Sequence, residues 1–196
     1  MGRIVISSNI TLDAVVQDPD GQEGFERGGW FHQAASPRDF EDWVAHETHE
    51  VLDAQALLLG RRSFDWFASR APAMADRVSR QWADAMERLP KYVASSTREL
   101  LPWSNSSLLD TDLAAGISRL KERVDGDILV YGSYQLVRTL IARDLADELR
   151  LVIFPIALGA GRRLFDEVED RKPLRLLNTR EIGDGLVSCA YEFVRG

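Results

Sequence analysis

Cysteine is nearly absent from this chain of 196 residues, where Cys189 stands alone. No intrachain disulfide can form, and a zinc site built on several cysteines is excluded. Positive charge is also scarce, with 24 Lys and Arg against 31 Asp and Glu and a net charge of −7. That balance opposes a nucleic-acid binder, which shows a basic face, and suits a soluble cytoplasmic protein. Long apolar runs are missing too. The most apolar stretch, 149–158, is interrupted by Arg150 and Pro155, so no bilayer span and no membrane partner are expected. Ile4, Val5 and Ile6 give way at once to Ser7-Ser8-Asn9, too soon for a secretory leader.

What is present is an alternation of short apolar runs with helix-length amphipathic segments, the pattern of an α/β sheet. Strands are expected at 4–6, 56–59, 91–94, 128–131 and 148–156, and a final antiparallel pair at 174–181 and 186–194 turned by Gly183-Asp184-Gly185. Helices are expected at 37–53, with Ser36 as N-cap and Pro37 first, at 77–88, 112–124 and 134–143, and a helical turn starts at 63–67. The segment 9–36 reads as one long polar loop holding Gly21, Gly24, Gly28 and Gly29. No repeat or linker divides the chain, so 1–196 is read as one domain. Cys189 lies in a strand-like run and reads as a small core residue.

Three strands end alike. Residues 56–59 run into Gly60-Arg61-Arg62-Ser63, 92–94 into Ser95-Ser96-Thr97-Arg98, and 128–131 into Gly132-Ser133. Ligands of open α/β sheets bind beyond the carboxyl ends of strands. Glycine lets a backbone come close, helix N-termini offer unpaired N–H groups to phosphate, and arginine adds a fixed cationic fork. Each loop alone reads equally as a helix cap or a solvated pair of cations. Together they suit a phosphate-bearing ligand.

These segments resemble the dihydrofolate-reductase superfamily in order. Leu57-Leu58-Leu59-Gly60-Arg61-Arg62-Ser63-Phe64 looks like its strand–Gly-Arg-x-Ser/Thr segment, and Lys91-Tyr92-Val93-Ala94-Ser95-Ser96-Thr97 like its next strand. Asp127-Ile128-Leu129-Val130-Tyr131-Gly132-Ser133 looks like the strand entering its pyrophosphate turn. The run 147–151, then Pro155-Ile156-Ala157-Leu158-Gly159-Ala160-Gly161, and Thr11-Leu12-Asp13 near the start resemble one branch: the reductase domain of the riboflavin-biosynthesis deaminase–reductase and its stand-alone relatives. The resemblance runs from about 3 to 194. It implies a three-layer sandwich with a mostly parallel central sheet and a C-terminal antiparallel hairpin. It implies NADPH, with Gly60, Arg61, Arg62 and Ser63 at the phosphate region, Ser95, Ser96 and Thr97 around the adenosine 2′-phosphate, and Gly132, Ser133 and Leu136 at the pyrophosphate. NADPH is then expected to bind more tightly than NADH. Ala14 stands where the branch has glycine, and Gly132-Ser133 replaces the Gly-Gly pair of many relatives. The deaminase half, which needs a His-x-Glu…Cys-x-x-Cys zinc site, cannot be built from one cysteine.

Reduction of a carbonyl or imine also needs a proton, and two carboxylates are candidates. Asp13 follows the first strand and is either a turn-former or a group facing the reacting ring. Glu47 falls within the helical stripe of Phe40, Val44 and Val51. It is either a buried acid of raised pKa or an edge residue paired with arginine. His46-Glu47-Thr48-His49 has the wrong spacing for a zinc-protease motif and reads as a solvated face, so no metal is expected. Trp30-Phe31-His32 suits a substrate lid, a dimer contact or packing onto the core. The resulting expectation is an NADPH-dependent reductase of a small pyrimidine- or pteridine-like molecule, resembling the ribosylaminopyrimidine reductase of riboflavin synthesis. A dihydrofolate reductase and an NADPH-binding protein without turnover are the alternatives. A homodimer is expected, from the aromatic loop, the apolar strand 149–156 and the resembled branch.

Overall fold

The computed structural model describes residues 1–77, 79–95, 97, 101–166 and 170–195. Eight strands form one sheet: β1 (Arg3–Thr11), β2 (Ala56–Gly60), β3 (Lys91–Ala94), β4 (Ser106–Leu108), β5 (Asp127–Tyr131), β6 (Glu148–Phe154), β7 (Leu174–Ile182) and β8 (Leu186–Phe193). Their order is β4-β3-β2-β5-β1-β6-β8-β7. Every pairing is parallel except those of β8 with β6 and with β7, so β8 alone runs against the rest. The expected parallel sheet with a C-terminal antiparallel hairpin is the observed one. Among the described residues, six helices accompany it: α1 (Trp30–Ala34), α2 (Pro37–Asp53), α3 (Arg61–Arg77), α4 (Arg80–Arg88), α5 (Leu113–Arg123) and α6 (Tyr134–Ala142).

Alternation along the strands sorts the side chains into two layers. Ile4, Ile6, Leu58, Ile128, Val130 and Cys189 pack against α5 and α6. Val5, Leu57, Leu59 and Leu129 face the other way, onto Val51 of α2, Phe64 of α3 and Trp82 and Met86 of α4. A third cluster joins α1 to β6 and the hairpin through Trp30, Phe31, Phe154, Ile182 and Leu186.

Several boundaries differ from the sequence reading. β1 continues to Thr11 through Ser7 and Asn9, because its polar positions face polar partners under α2. What looked like one turn at 63–67 is the four-turn helix α3, which begins directly after Gly60. β6 stops at Phe154, and the next residue is Pro155, which has no N–H for the ladder. The short β4 carried no apolar signal.

Of the three readings of the aromatic loop, packing onto the core is the one observed for Trp30 and Phe31. Trp30 is wholly buried, its ring centroid 5.4 Å from that of Phe154, and its indole N–H donates to the Gln17 carbonyl. Phe31 meets Trp43 at 4.7 Å. Burial of 150 Å² or more of ring surface outweighs any gain from display to a lid or partner. β6 likewise lies inside the sheet between β1 and β8. Neither feature that suggested a dimer is therefore exposed. One outer strand of the sheet is β7, where Leu176 and Leu177 stand in solvent.

Helix α2 is positioned at both layers. Ser36 and Asp39 form a reciprocal capping box. The Asp39 carboxylate also accepts the N–H groups of Asp184 and Gly185 at 2.7 and 2.9 Å, tying the helix start to the β7–β8 turn. Gly183 is required there: its φ is +62°, and a Cβ would lie 2.5 Å from Asp39 Cα.

Candidate active site

β2 and β5 are neighbours, so their carboxyl ends bring the two glycine loops together. Ser63 Oγ accepts the Ser133 N–H at 2.7 Å. Ser133 Oγ accepts the Gly60 N–H at 2.8 Å and donates to the Tyr131 carbonyl at 3.0 Å. Gly132 has φ +56°, and a Cβ on it would come to 3.0 Å from Ser63 Oγ. Ser133 takes a left-handed conformation itself and caps α6 without a side-chain hydrogen bond. Helices α3 and α6 thus start side by side at one sheet edge, each with a positive dipole end. Leu136 is buried beside Gly60. Arg61 is tied to Asp65 at 2.9 Å, whereas Arg62 is exposed. Across the next strand, where Ala94 pairs with Gly60, the Ser95 hydroxyl binds within a turn to Thr97. Ser96 and Arg98 lie outside the described residues.

Asp13 sits at the exit of β1 with its carboxylate fully engaged. Thr11 Oγ1 donates to it at 2.7 Å, and the N–H groups of Leu158 and Gly159 at 3.0 and 2.8 Å. Arg163 donates from Nε to the Asp13 carbonyl at 3.0 Å and holds its guanidinium 3.5 Å from the carboxylate. Burial pushes the Asp13 carboxyl up, but the Thr11 hydroxyl and the two amides outweigh it and bring it down to about 2. A carboxyl so held is a poor proton donor and a good clamp between β1 and the loop after β6. Ala14 keeps the left-handed turn (φ 64) that a glycine adopts freely.

Glu47 and Glu50 project from one face of α2 into the sheet, and each is 6% exposed. Glu50 Oε2 accepts from Ser7 Oγ at 2.7 Å and lies 3.4 Å from the Tyr131 hydroxyl. Its Oε1 is 3.5 Å from Arg150 Nη1. Burial and the neighbouring Glu50 push the Glu47 carboxyl well above the usual range, against the pull of Tyr131 and Trp43. Trp43 donates to Asn9 of β1 at 3.0 Å. Tyr131 is the last residue of β5, so the strand that meets the carboxyl pair is the one that runs into the Gly132 turn.

Residues 3–188 match the RibD C-terminal domain family. The chain belongs to that family. This RibD C-terminal domain is 26% identical over 197 residues to the uncharacterized protein YyaP of Bacillus subtilis (strain 168), covering 97% of this chain and 95% of that one. A solved protein of Shewanella sp. PV-4, named for riboflavin biosynthesis, has TM-score 0.72 at 20% identity, covering 98% of this chain and 99% of that one. RibD of Acinetobacter baumannii has TM-score 0.61 at 12% identity, covering 100% of this chain and 59% of that one. The family is reductase-like, and the solved structures share its fold. Among the described residues, no helix is long and apolar enough to cross a membrane.

Within this RibD-type site, sequence reading had singled out Glu47 but passed over Glu50, Tyr131, Ser7 and Arg150. A signal existed. Glu50 is three residues from Glu47 and so shares its face. Ser7, Asn9 and Thr11 place polar groups on alternate positions of a central strand, where apolar residues are the rule. Arg162 was also missed; it lies 5.5 Å from the ring of Tyr134, the first residue of α6.

Proposed function

We propose that the chain is a soluble cytoplasmic NADPH-dependent reductase, working as one domain, that reduces a small pyrimidine- or pteridine-like ring. The observation that carries this reading is Glu47, a buried acid beside the Tyr131 side chain, on the strand that runs into the Gly132-Ser133 turn at the start of α6. The residues present fit the cofactor. Gly132 holds a left-handed turn tight against Ser63, α6 lacks a side-chain cap, and two helix N-termini meet beside exposed Arg62. Gly60, Ser63, Gly132 and Ser133 would hold the pyrophosphate, and Arg62, Ser95 and Thr97 the ribose phosphate. NADPH, when bound, supplies the hydride.

The protein's part is to orient and to protonate. Glu47, whose carboxyl is pushed up by burial and by the neighbouring Glu50, is the proton donor. Asp13 is a positioning group that holds the loop 155–161 against the end of β1. The named relatives point to a ribosylaminopyrimidine as substrate class: one is named for riboflavin biosynthesis, and a third solved protein, from Corynebacterium diphtheriae, is called pyrimidine reductase-like.

Calorimetric titration of NADPH and NADH, followed by NADPH oxidation with aminopyrimidine and pteridine substrates, tests the reading. NADPH is expected to bind at least about tenfold more tightly, the equivalent of one charge-assisted hydrogen bond. Arg62→Ala should abolish most of that preference and leave NADH unchanged. Equal binding of the two cofactors, or NADPH binding with no oxidation on any substrate, would overturn it.

A further inference from the structure

We infer that Glu47 and Glu50 hold one proton between them, Glu47 as the neutral acid and Glu50 as the carboxylate, with the Tyr131 hydroxyl as the bridge that returns protons to Glu47. The inference rests on the reductase reading for its purpose, though not for its geometry. The two carboxyls lie three residues apart on one helix face, both buried, so they cannot ionise together without strong repulsion. The cations nearby are already engaged. Arg150 places Nε 2.6 Å from Glu148 and Nη2 2.7 Å from Asp127, nearer than the 3.5 Å to Glu50. Arg3 meets the same two carboxylates from the far side. Among these groups, two guanidiniums face four carboxyls.

Among the described residues, no cation besides Arg150 acts on Glu47 or Glu50, and Arg180 of β7 meets His46 instead. β1 contributes Ser7 and Asn9, β5 contributes Tyr131, and α2 itself contributes Trp43. His46, on the same helix, is held near 4 by burial, Arg180 and Arg150, and is neutral at physiological pH. The proton's location follows from the donors. Glu50 receives the Ser7 hydroxyl and the outer reach of Arg150, which favour its carboxylate. Among the described residues no cation acts on Glu47, and its own O–H needs an acceptor, for which the neighbouring Tyr131 oxygen is in place. Tyr131 in turn donates to Glu50, completing the order Glu47 to Tyr131 to Glu50. The same surroundings push both carboxyls upward, Glu47 more than Glu50.

During turnover the O–H bond of Glu47 breaks as the proton joins the reduced substrate. A solvent proton then arrives at Glu50 and passes to the Tyr131 oxygen, while the original Tyr131 proton moves to Glu47. Charge and proton count return to the start. Glu50 and Tyr131 are positioning residues; neither need touch substrate.

The test uses the full-length protein with carbon-13 in its glutamate side-chain carboxyls, followed by NMR as pH is raised. One resonance, lost in Glu47→Gln, should keep its protonated shift at neutral pH. Glu50→Gln, which preserves shape, should lower the midpoint of that resonance by about one pH unit or more, since the adjacent charge has gone. In the unsubstituted protein an infrared carboxylic-acid band at neutral pH, shifted in heavy water, reports the same proton without any variant. With a substrate in hand, Glu50→Gln should move the alkaline limb of kcat/KM down by the same interval, and Tyr131→Phe should lower kcat more than it raises KM. Two ionised carboxyls at neutral pH, or a Glu47 midpoint indifferent to Glu50→Gln, would overturn the inference. If the shared proton is seen but no NADPH oxidation is found, the reductase reading fails and the proton pair stands.

Discussion

Asp13→Asn separates a clamp from a proton donor. The carboxylate takes the Thr11 hydroxyl and the amides of Leu158 and Gly159, and its pKa lies at about 2. Against an unfolded aspartate near 3.9, each pH unit corresponds to about 1.4 kcal/mol, giving roughly 2.5 kcal/mol of stabilisation at neutral pH. The side chain is 23% exposed, and screening by solvent reduces this to about 2 kcal/mol. Asparagine keeps one acceptor oxygen but turns an N–H donor toward another N–H. The variant should therefore lose about 2 kcal/mol, or about 4–8 °C in Tm for a chain of this size.

The pH dependence has a definite sign. A folded-state pKa below the unfolded one stabilises above pH about 4, and the gain disappears as pH falls toward about 2. Urea unfolding followed by tryptophan fluorescence across that window should show the unsubstituted protein losing the increment, with the variant flat by comparison. A variant as stable as the parent at neutral pH, with parallel acid limbs, would refute the clamp. A loss of kcat with no loss of stability would return Asp13 to the role of proton donor.

Gly132→Ala should weaken NADPH binding about tenfold and lower stability by roughly 1–2 kcal/mol, the cost of left-handed backbone for an L-residue. The added Cβ presses on Ser63, which holds the Ser133 amide, and calorimetry with urea melts measures both effects. A homodimer is predicted to form through the outer edge of β7, where Leu176 and Leu177 are exposed and a second copy paired antiparallel about Asn178 would set Arg175 against its Glu181. Sedimentation should show a dimer that Leu176→Lys with Leu177→Lys converts to monomer; a monomeric parent would exclude it.

Much of this protein is legible along the chain because periodicity is a local property. The short apolar runs that mark β2, β3 and β5, the Ser36-Pro37 start of α2 and the Gly183 turn all follow from neighbours within a few residues. So does the position of Glu47 on the apolar stripe of its helix. Only the tertiary structure decided what these groups become. Asp13 is clamped by amides 145 and 146 residues away. Trp30, read as lid, contact or core, is sealed against Phe154 of β6. Glu50 acquires its meaning from Ser7 of β1, Tyr131 of β5 and Arg150 of β6, strands drawn together by the sheet order and separated widely in sequence. Propensity and spacing set which face a side chain takes, whereas its charge state depends on burial and on partners that only the folded sheet brings within hydrogen-bond reach.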